Sequence, residues 1–286
     1  MAYPYDPSRA ALLTPARGAV FFPAGRPATE AALCAEMSRL AYAPFERDPE
    51  ASRKVQDALR RVGFAPGYFF SAGGTQGFLT TDADRSVSVL AFRGTEVNPR
   101  DWATDLRAWP CDWVEGGQVH EGFAAALAVV WSDLAPRLAD APGRRLYTGH
   151  SLGAALATLA ASRQPPHALY TYGSPRVGDE AFLRTLSAFE SHRFTNCCDM
   201  ICRVPLEAFG YRHHGPASYI DREGAVHVPP ADAEVTRDHL RARLAYWWRW
   251  AWRPGNVWTR DLADHAPVNY FSALNAAREF FPPNAQ

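Results

Sequence analysis

The sequence predicts an α/β fold in which a mostly parallel central sheet is flanked by helices. Three observations support this prediction. A chain of 286 residues with 47% hydrophobic and 21% charged residues can bury a core of its own. Predicted strands alternate with predicted helices along the chain, and the pattern G-x-S-x-G at 149–153 stands between a strand and a helix.

The chain is predicted to consist of an irregular N-terminal arm, residues 1–28, and a single domain, residues 29–286. Residues 1–28 are rich in Ala and Pro and lack periodicity, whereas 29–286 show neither an internal repeat nor a Gly/Ser linker. Thr29 is a plausible cap for a first helix, and Asp48 with Pro49 begins a second helix that ends near Gly63.

The remaining elements follow from hydrophobic periodicity. We predict a hairpin of strands 68–71 and 77–81, a strand 87–92, a helix 121–139 kinked at Pro136, a strand 145–148, a helix 152–162, strands 168–172 and 193–197, and a helix 231–252. Strands that alternate with helices in this way predict a largely parallel sheet covered on both faces.

Composition limits which binding partners and which cellular compartment are expected for the protein. The chain has 30 basic and 30 acidic residues, so no overall field favours nucleic acid, and no obligate protein partner is evident. The five cysteines show neither a disulfide pattern nor zinc-ligand spacing. No signal peptide is seen at the N-terminus, and the most apolar stretch, 244–252, is too short to span a bilayer. We therefore expect a cytoplasmic protein, with export by a leaderless route left open.

The G-x-S-x-G pattern predicts a nucleophilic serine. An apolar strand precedes Ser151, and a helix of small residues follows it. Such a strand–turn–helix exposes the serine on a strained turn, and the glycines at 149 and 153 remove side chains that would collide there. The N-terminus of the helix presents backbone N–H groups where an oxyanion can form.

Several motifs together make the sequence resemble a known family. They are 89–95 (VLAFRGT), 101–106 (DWATDL), 119–123 (VHEGF), 149–153 (GHSLG), 172–178 (YGSPRVG), 196–205, and Asp264-His265 with Tyr270. In this order they resemble the class 3 lipases, the fungal-type triacylglycerol lipases of the α/β-hydrolase fold. The resemblance covers about residues 30 to 275. It implies an α/β-hydrolase fold with a lid segment, a role in lipid degradation and no cofactor.

A serine hydroxyl needs a base, and that base needs an orienting carboxylate. In α/β-hydrolases the acid and then the histidine follow the serine in the chain. Asp199 follows a predicted strand and matches the family's catalytic acid. Its rival, Asp179, is expected instead to cap a helix.

Two histidines compete for the role of base. His265 matches the family's catalytic histidine, while His239 also follows an aspartate but lies in a predicted helix. We therefore predict the triad Ser151, Asp199 and His265, with His239 as the alternative.

Two residues are predicted to form the oxyanion hole, one from the turn around Ser151 and one implied by the family resemblance. Leu152 follows the nucleophile and offers its N–H, and Thr95 corresponds to the family's second donor. A threonine that stands at the end of a strand and only caps the next turn is the alternative for Thr95. Arg93 and His150 are expected to hold loops by hydrogen bonds rather than to touch substrate.

Two apolar segments are candidates for lipid contact. In the resembled family, the segment from Glu96 to Pro110 is a lid, and Trp102, Leu106 and Trp109 are candidate lid or substrate-binding residues, unless they pack permanently on the core. In the predicted helix 231–252, one face carries the residues Leu240, Leu244, Trp247, Trp248 and Ala251, flanked by Trp250 and Trp252. Interfacial anchoring and packing onto the core or a second subunit both remain open for this face.

The sequence thus predicts a serine carboxylic-ester hydrolase, with acylglycerols implied as substrates by the resemblance. A phospholipase A1, an aryl-ester hydrolase or a polyester hydrolase would use the same triad. A non-catalytic lipid-binding protein and an acyltransferase are the alternative functions from other classes.

No metal is expected, because the pair His213-His214 lacks two further ligands at suitable spacing. An ester or lipid substrate and a transient lipid interface are the expected partners.

Overall fold

The computed structural model describes residues 3–95, 109–228 and 231–277. In these ranges the strands are β1 Tyr68–Ala72, β2 Thr75–Asp82, β3 Val87–Phe92, β4 Pro110–Asp112, β5 Gln118–His120, β6 Arg144–His150, β7 Ala168–Tyr172, β8 Glu190–Asn196, β9 Ala217–Ile220 and β10 Val226–His227. The α-helices are Arg9–Leu13, Glu30–Leu40, Pro49–Arg61, Glu121–Ala139, Leu152–Arg163, Glu180–Leu183, Asp232–Tyr246, Arg260–Ala263 and Pro267–Ala276.

An eight-stranded sheet forms the centre of the fold, in the order β1-β2-β3-β6-β7-β8-β9-β10. The pairs from β3 through β9 are parallel, while β1, β2 and β10 add antiparallel edges. The predicted class, an α/β-hydrolase with a mostly parallel sheet, is confirmed. The small ribbon of β4 and β5 and the outer strands β9 and β10 were not predicted, because strands of two to four residues have too short a pattern to recognise.

Alternate residues of the strands divide the core into two layers. On β3, Val89 and Ala91 pack on one face of the sheet, and Leu90 and Phe92 pack on the other. The helix Glu30–Leu40 covers the first face, and the helices Glu121–Ala139 and Leu152–Arg163 cover the second. Successive side chains of a strand point to opposite faces, so burial on both sides requires the continuous apolar runs seen in the sequence.

The long helix Glu121–Ala139 runs through Pro136 to its end. Among the described helices it alone has the length and composition of a membrane span. Its Phe123, Leu127 and Val130 are buried in the second core layer, which is the packing of an amphipathic core helix.

The N-terminal segment, predicted to be an irregular arm, contains the short helix Arg9–Leu13 and joins the body of the protein. The Tyr5 hydroxyl donates a hydrogen bond of 2.8 Å to Asp264, and the Asp6 N–H donates one of 2.8 Å to the Asn269 side chain. These partners lie more than 250 residues away in the chain, so no local pattern in the sequence indicates them.

Candidate active site

Ser151 lies in a sharp turn between β6 and the helix Leu152–Arg163. Its backbone has φ 58° and ψ −126°, a conformation that costs energy for any residue with a Cβ atom. A Cβ atom on Gly149 would collide with the backbone of Gly153, and one on Gly153 would collide with the carbonyl oxygen of Phe92. The two glycines of the motif are therefore required by close backbone approach, as the sequence predicts.

A continuous hydrogen-bond chain joins the three residues of the predicted triad. The Ser151 Oγ lies 2.9 Å from His265 Nε2, and His265 Nδ1 lies 2.8 Å from Asp199 Oδ2 and 3.0 Å from its Oδ1. All three side chains are buried. In this arrangement the carboxylate fixes the proton on Nδ1, so Nε2 can accept the proton of the serine hydroxyl.

The carboxylate of Asp199 is held from two further directions. The Tyr270 hydroxyl donates a hydrogen bond of 2.6 Å to Oδ2, and the backbone N–H of Ile201 donates one of 2.9 Å to Oδ1. Gly173 has a φ of 57°, and a Cβ atom there would come within 2.8 Å of Asp199 Oδ2 and 3.0 Å of the His265 ring. Tyr270 belongs to a motif quoted for the resemblance, but the sequence did not assign it this contact.

Asp264, next to His265, connects the loops that carry the acid and the base. Its Oδ2 accepts a hydrogen bond of 2.9 Å from the backbone N–H of Cys198, the neighbour of Asp199, and its Oδ1 accepts one from Tyr5. Burial raises the pKa of Asp264 to about 6, although Arg260 at 3.0 Å favours the charged form. The sequence treated Asp264 only as part of a motif, because contacts between distant loops leave no periodic signal.

The predicted oxyanion donors lie at the ends of neighbouring strands. β3 and β6 are parallel with Phe92 opposite Gly149, so Thr95 and Ser151 both follow the same edge of the sheet. Between them, a Cβ atom on Gly94 would come within 2.6 Å of the His150 carbonyl oxygen. Leu152 is the first residue of its helix, where backbone N–H groups have no partner within the helix.

His150 and Arg93 hold loops around the elbow, as the sequence predicts. His150 Nε2 lies 2.7 Å from the carbonyl oxygen of His265 and therefore carries the proton, and its Nδ1 accepts a hydrogen bond of 2.8 Å from the Tyr42 hydroxyl. Burial and the neighbouring His265 hold the pKa of His150 well below its usual value. Arg93 donates to the backbone carbonyls of Ala41 and Ala43 and pairs with Glu46.

The rival residues are engaged elsewhere. The Asp179 carboxylate caps the helix Glu180–Leu183 by accepting a hydrogen bond of 2.8 Å from the Phe182 N–H. His239 is half-buried, and its Nδ1 lies 3.0 Å from the Arg203 guanidinium.

The predicted lid lies largely outside the described residues, which exclude Trp102 and Leu106. Trp109 is described and is exposed. Pro110, placed by the sequence at the end of the lid segment, begins the strand β4. The lid therefore stays a prediction.

Within the described ranges, the side chains of Cys197, Cys198 and Asp264 offer metal-ligand atoms within 4.8 Å of one another. The oxygens of Asp264 already accept hydrogen bonds from Tyr5, the Cys198 N–H and Arg260. The buried charge of Asp264 is thus matched by protein donors.

Comparison with known proteins shows which family the chain resembles. Residues 89–209 match the family model described as Lipase (class 3). A secreted mono- and diacylglycerol lipase of Fusarium solani is 37% identical over 161 residues, which cover 52% of this chain and 48% of the relative. Over residues 89–209 the chain is similar to the class 3 lipases. The matched range of the class 3 lipase model contains Ser151 and Asp199 and ends before His265.

Solved lipases share the fold. A lipase from Rhizopus microsporus var. chinensis has a TM-score of 0.56 at 27% identity, over 66% of this chain and 71% of that one. A mono- and diacylglycerol lipase from Aspergillus oryzae has a TM-score of 0.55 at 26% identity, over 68% of this chain and 81% of that one. The chain spans about half the length of the curated class 3 lipase relatives that it matches first.

The comparisons correct the expected localisation. The relative from Fusarium solani and a relative from Penicillium cyclopium, 33% identical over 177 residues, are both named as secreted lipases. The expectation of a cytoplasmic protein is therefore wrong. It rested on the absence of a recognisable leader in the sequence, which says little about a family with secreted members.

Proposed function

We propose that the protein is a serine carboxylic-ester hydrolase that cleaves acylglycerol-type esters outside the cell. The observation that supports this most is the unbroken hydrogen-bond chain from Ser151 through His265 to Asp199. Relatives named as mono- and diacylglycerol lipases suggest the substrate class. A relative from Ricinus communis, 24% identical over 88% of this chain and 65% of its own length, is named as a triacylglycerol lipase.

The proposed reaction proceeds through an acyl-enzyme. Ser151 Oγ attacks the ester carbonyl carbon while His265 Nε2 takes the hydroxyl proton. The tetrahedral intermediate then expels the alcohol, which receives that proton from His265. Water, deprotonated by His265, attacks the acyl-enzyme carbonyl. The bond from the acyl carbon to Ser151 Oγ then breaks, Oγ takes the proton back from His265, and the fatty acid is released. Asp199 keeps the imidazole oriented and stabilises its positive charge.

The backbone N–H of Leu152, with the N–H and hydroxyl of Thr95, is proposed to stabilise the negative oxygen of the tetrahedral intermediate. Both residues follow the edge of the sheet at which Ser151 lies. Because Ser151 is only 1% exposed, a substrate must also displace some part of the protein to reach it.

The test is a substrate panel with a matched inactive variant. We expect wild type to hydrolyse p-nitrophenyl esters and emulsified mono-, di- and triacylglycerols, and Ser151→Ala to lose about 10⁴-fold or more of each activity while it stays folded. A phosphonate ester should label wild type once and should not label Ser151→Ala. Activity on phospholipid above that on acylglycerols would reassign the substrate class, and a tenth of the activity left in Ser151→Ala would remove the proposed nucleophile.

A further inference from the structure

Six large apolar side chains lie exposed on and just after the helix Asp232–Tyr246. We call them the tryptophan surface. Its members and their exposed fractions are Leu240 (62%), Leu244 (56%), Trp247 (62%), Trp248 (71%), Trp252 (70%) and Trp258 (73%). Apolar side chains exposed to this degree, on one helix and in the segment that follows it, mark an interaction surface. The sequence left open interfacial anchoring and packing onto the core or a second subunit. Within the described residues, Leu240, Leu244 and Trp247 do not pack onto this chain's own core, nor does Trp248.

The helix has a separate face that already fills the core. Ala242 and Tyr246 are buried, and the Tyr246 hydroxyl donates a hydrogen bond of 2.6 Å to the carbonyl oxygen of Val257. The helix is therefore anchored to the core without any contribution from the tryptophan surface. Replacing residues of the tryptophan surface should therefore leave the fold intact.

The tryptophan surface has a basic surrounding. The segment 239–259 contains four arginines, at positions 241, 243, 249 and 253, and no acidic residue, although the chain as a whole has equal numbers of basic and acidic residues. Arg243 pairs with Asp261 at 2.6 Å, so the positive charge beside the surface comes from the arginines at 241, 249 and 253. The Arg253 guanidinium lies 5.5 Å from the centre of the Trp252 ring, and that of Arg9 lies 5.8 Å from the centre of the Trp258 ring. Aromatic rings with adjacent cations suit the boundary between acyl chains and anionic headgroups.

We propose that the tryptophan surface docks the protein onto a bilayer that contains anionic phospholipid. Indole rings carry large apolar area together with an N–H that can stay hydrated, which favours the membrane interface over a dry core. A second copy of the chain fits less well, because a two-fold interface places the same patch against itself and brings like-charged arginines together.

This proposal does not rest on the proposed hydrolysis, since docking is measured without turnover. We therefore place all binding variants in the Ser151→Ala background, which keeps the lipid intact. Sedimentation with vesicles of phosphatidylcholine, alone or with about 30% phosphatidylglycerol, measures binding. Ser151→Ala with an otherwise unchanged surface should bind the anionic vesicles at least about tenfold more tightly than vesicles of phosphatidylcholine alone. Added salt should reduce this preference.

The variant Trp247→Ser/Trp248→Ser/Trp252→Ser removes most of the apolar area. Its dissociation constant for anionic vesicles should rise at least about tenfold. The matched control is Val114→Ser/Val129→Ser, which changes two exposed apolar residues elsewhere and should bind as before. When the triple variant is made with the catalytic Ser151 retained, it should cleave a soluble short-chain ester at the wild-type rate, which would show that the fold is intact.

A second variant keeps the indoles and changes only charge. Arg249→Glu/Arg253→Glu should lose the preference for anionic vesicles, while its weak binding to phosphatidylcholine alone should change by less than about threefold. The proposal is overturned if the triple variant binds anionic vesicles like the valine control. It is also overturned if neither form binds vesicles and ultracentrifugation finds a wild-type dimer that the triple variant abolishes, since the partner is then a second copy.

Discussion

Tyr270 and Asp199 share a hydrogen bond of 2.6 Å, in which the tyrosine hydroxyl donates to the same carboxylate oxygen that His265 contacts at 2.8 Å. The hydroxyl also accepts a hydrogen bond of 3.0 Å from the backbone N–H of Asn196, at the end of β8. Tyr270 therefore ties the orientation of the carboxylate to the sheet.

Tyr270→Phe should lower kcat about tenfold with little change in KM, because a freed carboxylate holds the imidazole less well. Steady-state kinetics on a soluble ester measures this. The control is Tyr172→Phe, which removes another buried hydroxyl, bonded at 2.5 Å to the Ala31 carbonyl oxygen. It should lower the melting temperature and leave kcat within about twofold. If Tyr270→Phe also lowered only the melting temperature and left kcat within about twofold of wild type, Tyr270 would act on stability alone.

His265 and His239 each follow an aspartate, so their alanine variants form a matched pair for testing which histidine is the base. His265→Ala should lose about 10⁴-fold or more in kcat, as Ser151→Ala does, because nucleophile and base act as one unit. His239→Ala should change kcat by less than about fivefold, since its imidazole contacts Arg203. Rates of ester hydrolysis for the purified, folded variants decide the matter, and a greater loss in His239→Ala would reverse the assignment of the base.

Thr95→Val tests the proposed second oxyanion donor through its hydroxyl. Kinetics should show kcat lowered about 10²-fold with KM nearly unchanged, the usual cost of one donor to the transition state. Thr95→Ser keeps the hydroxyl and should retain most of the activity. If Thr95→Val is fully active, the threonine is a strand cap.

His213 should make the protein less stable in acid. Its Nε2 lies 2.6 Å from the carbonyl oxygen of Cys202, and burial, together with Arg193, lowers its pKa to about 3 from a usual value of 6.5. As the pH falls below 6.5, the unfolded chain takes up a proton that the folded protein does not. This site's contribution to the free energy of unfolding then falls by up to about 1.4 kcal/mol per pH unit.

The measurement is urea unfolding of wild type and His213→Gln at several pH values, because glutamine keeps an N–H donor and does not titrate in this range. The advantage of wild type over the variant should be constant above pH 6.5, where both states are neutral at this site, and should shrink as the pH falls toward about 3. A difference that is independent of pH would show that the imidazole is not held neutral by the fold.

Several features followed from the sequence alone because they depend on neighbouring residues. The bounds of β3 at Val87–Phe92 and of the helix Glu121–Ala139 match the structure, since each has a continuous periodic pattern. The elbow around Ser151 was predictable for a related reason, since its glycines are required by contacts within a few residues and with one adjacent strand. The proposed roles of Asp199 and His265 came from the order of acid and histidine after the serine and from a resemblance in several ordered motifs, rather than from periodicity.

The tertiary structure decided which distant groups meet and which faces turn inward. Tyr5 bonds to Asp264 across 259 positions, and no local pattern encodes a contact between two chain segments so far apart. Periodicity also showed that Leu240, Leu244 and Trp247 share one face of a helix, but not whether that face is buried. The fold buries Ala242 and Tyr246 instead and leaves the larger side chains in water, because only packing against the rest of the chain determines which stripe of a helix meets the core.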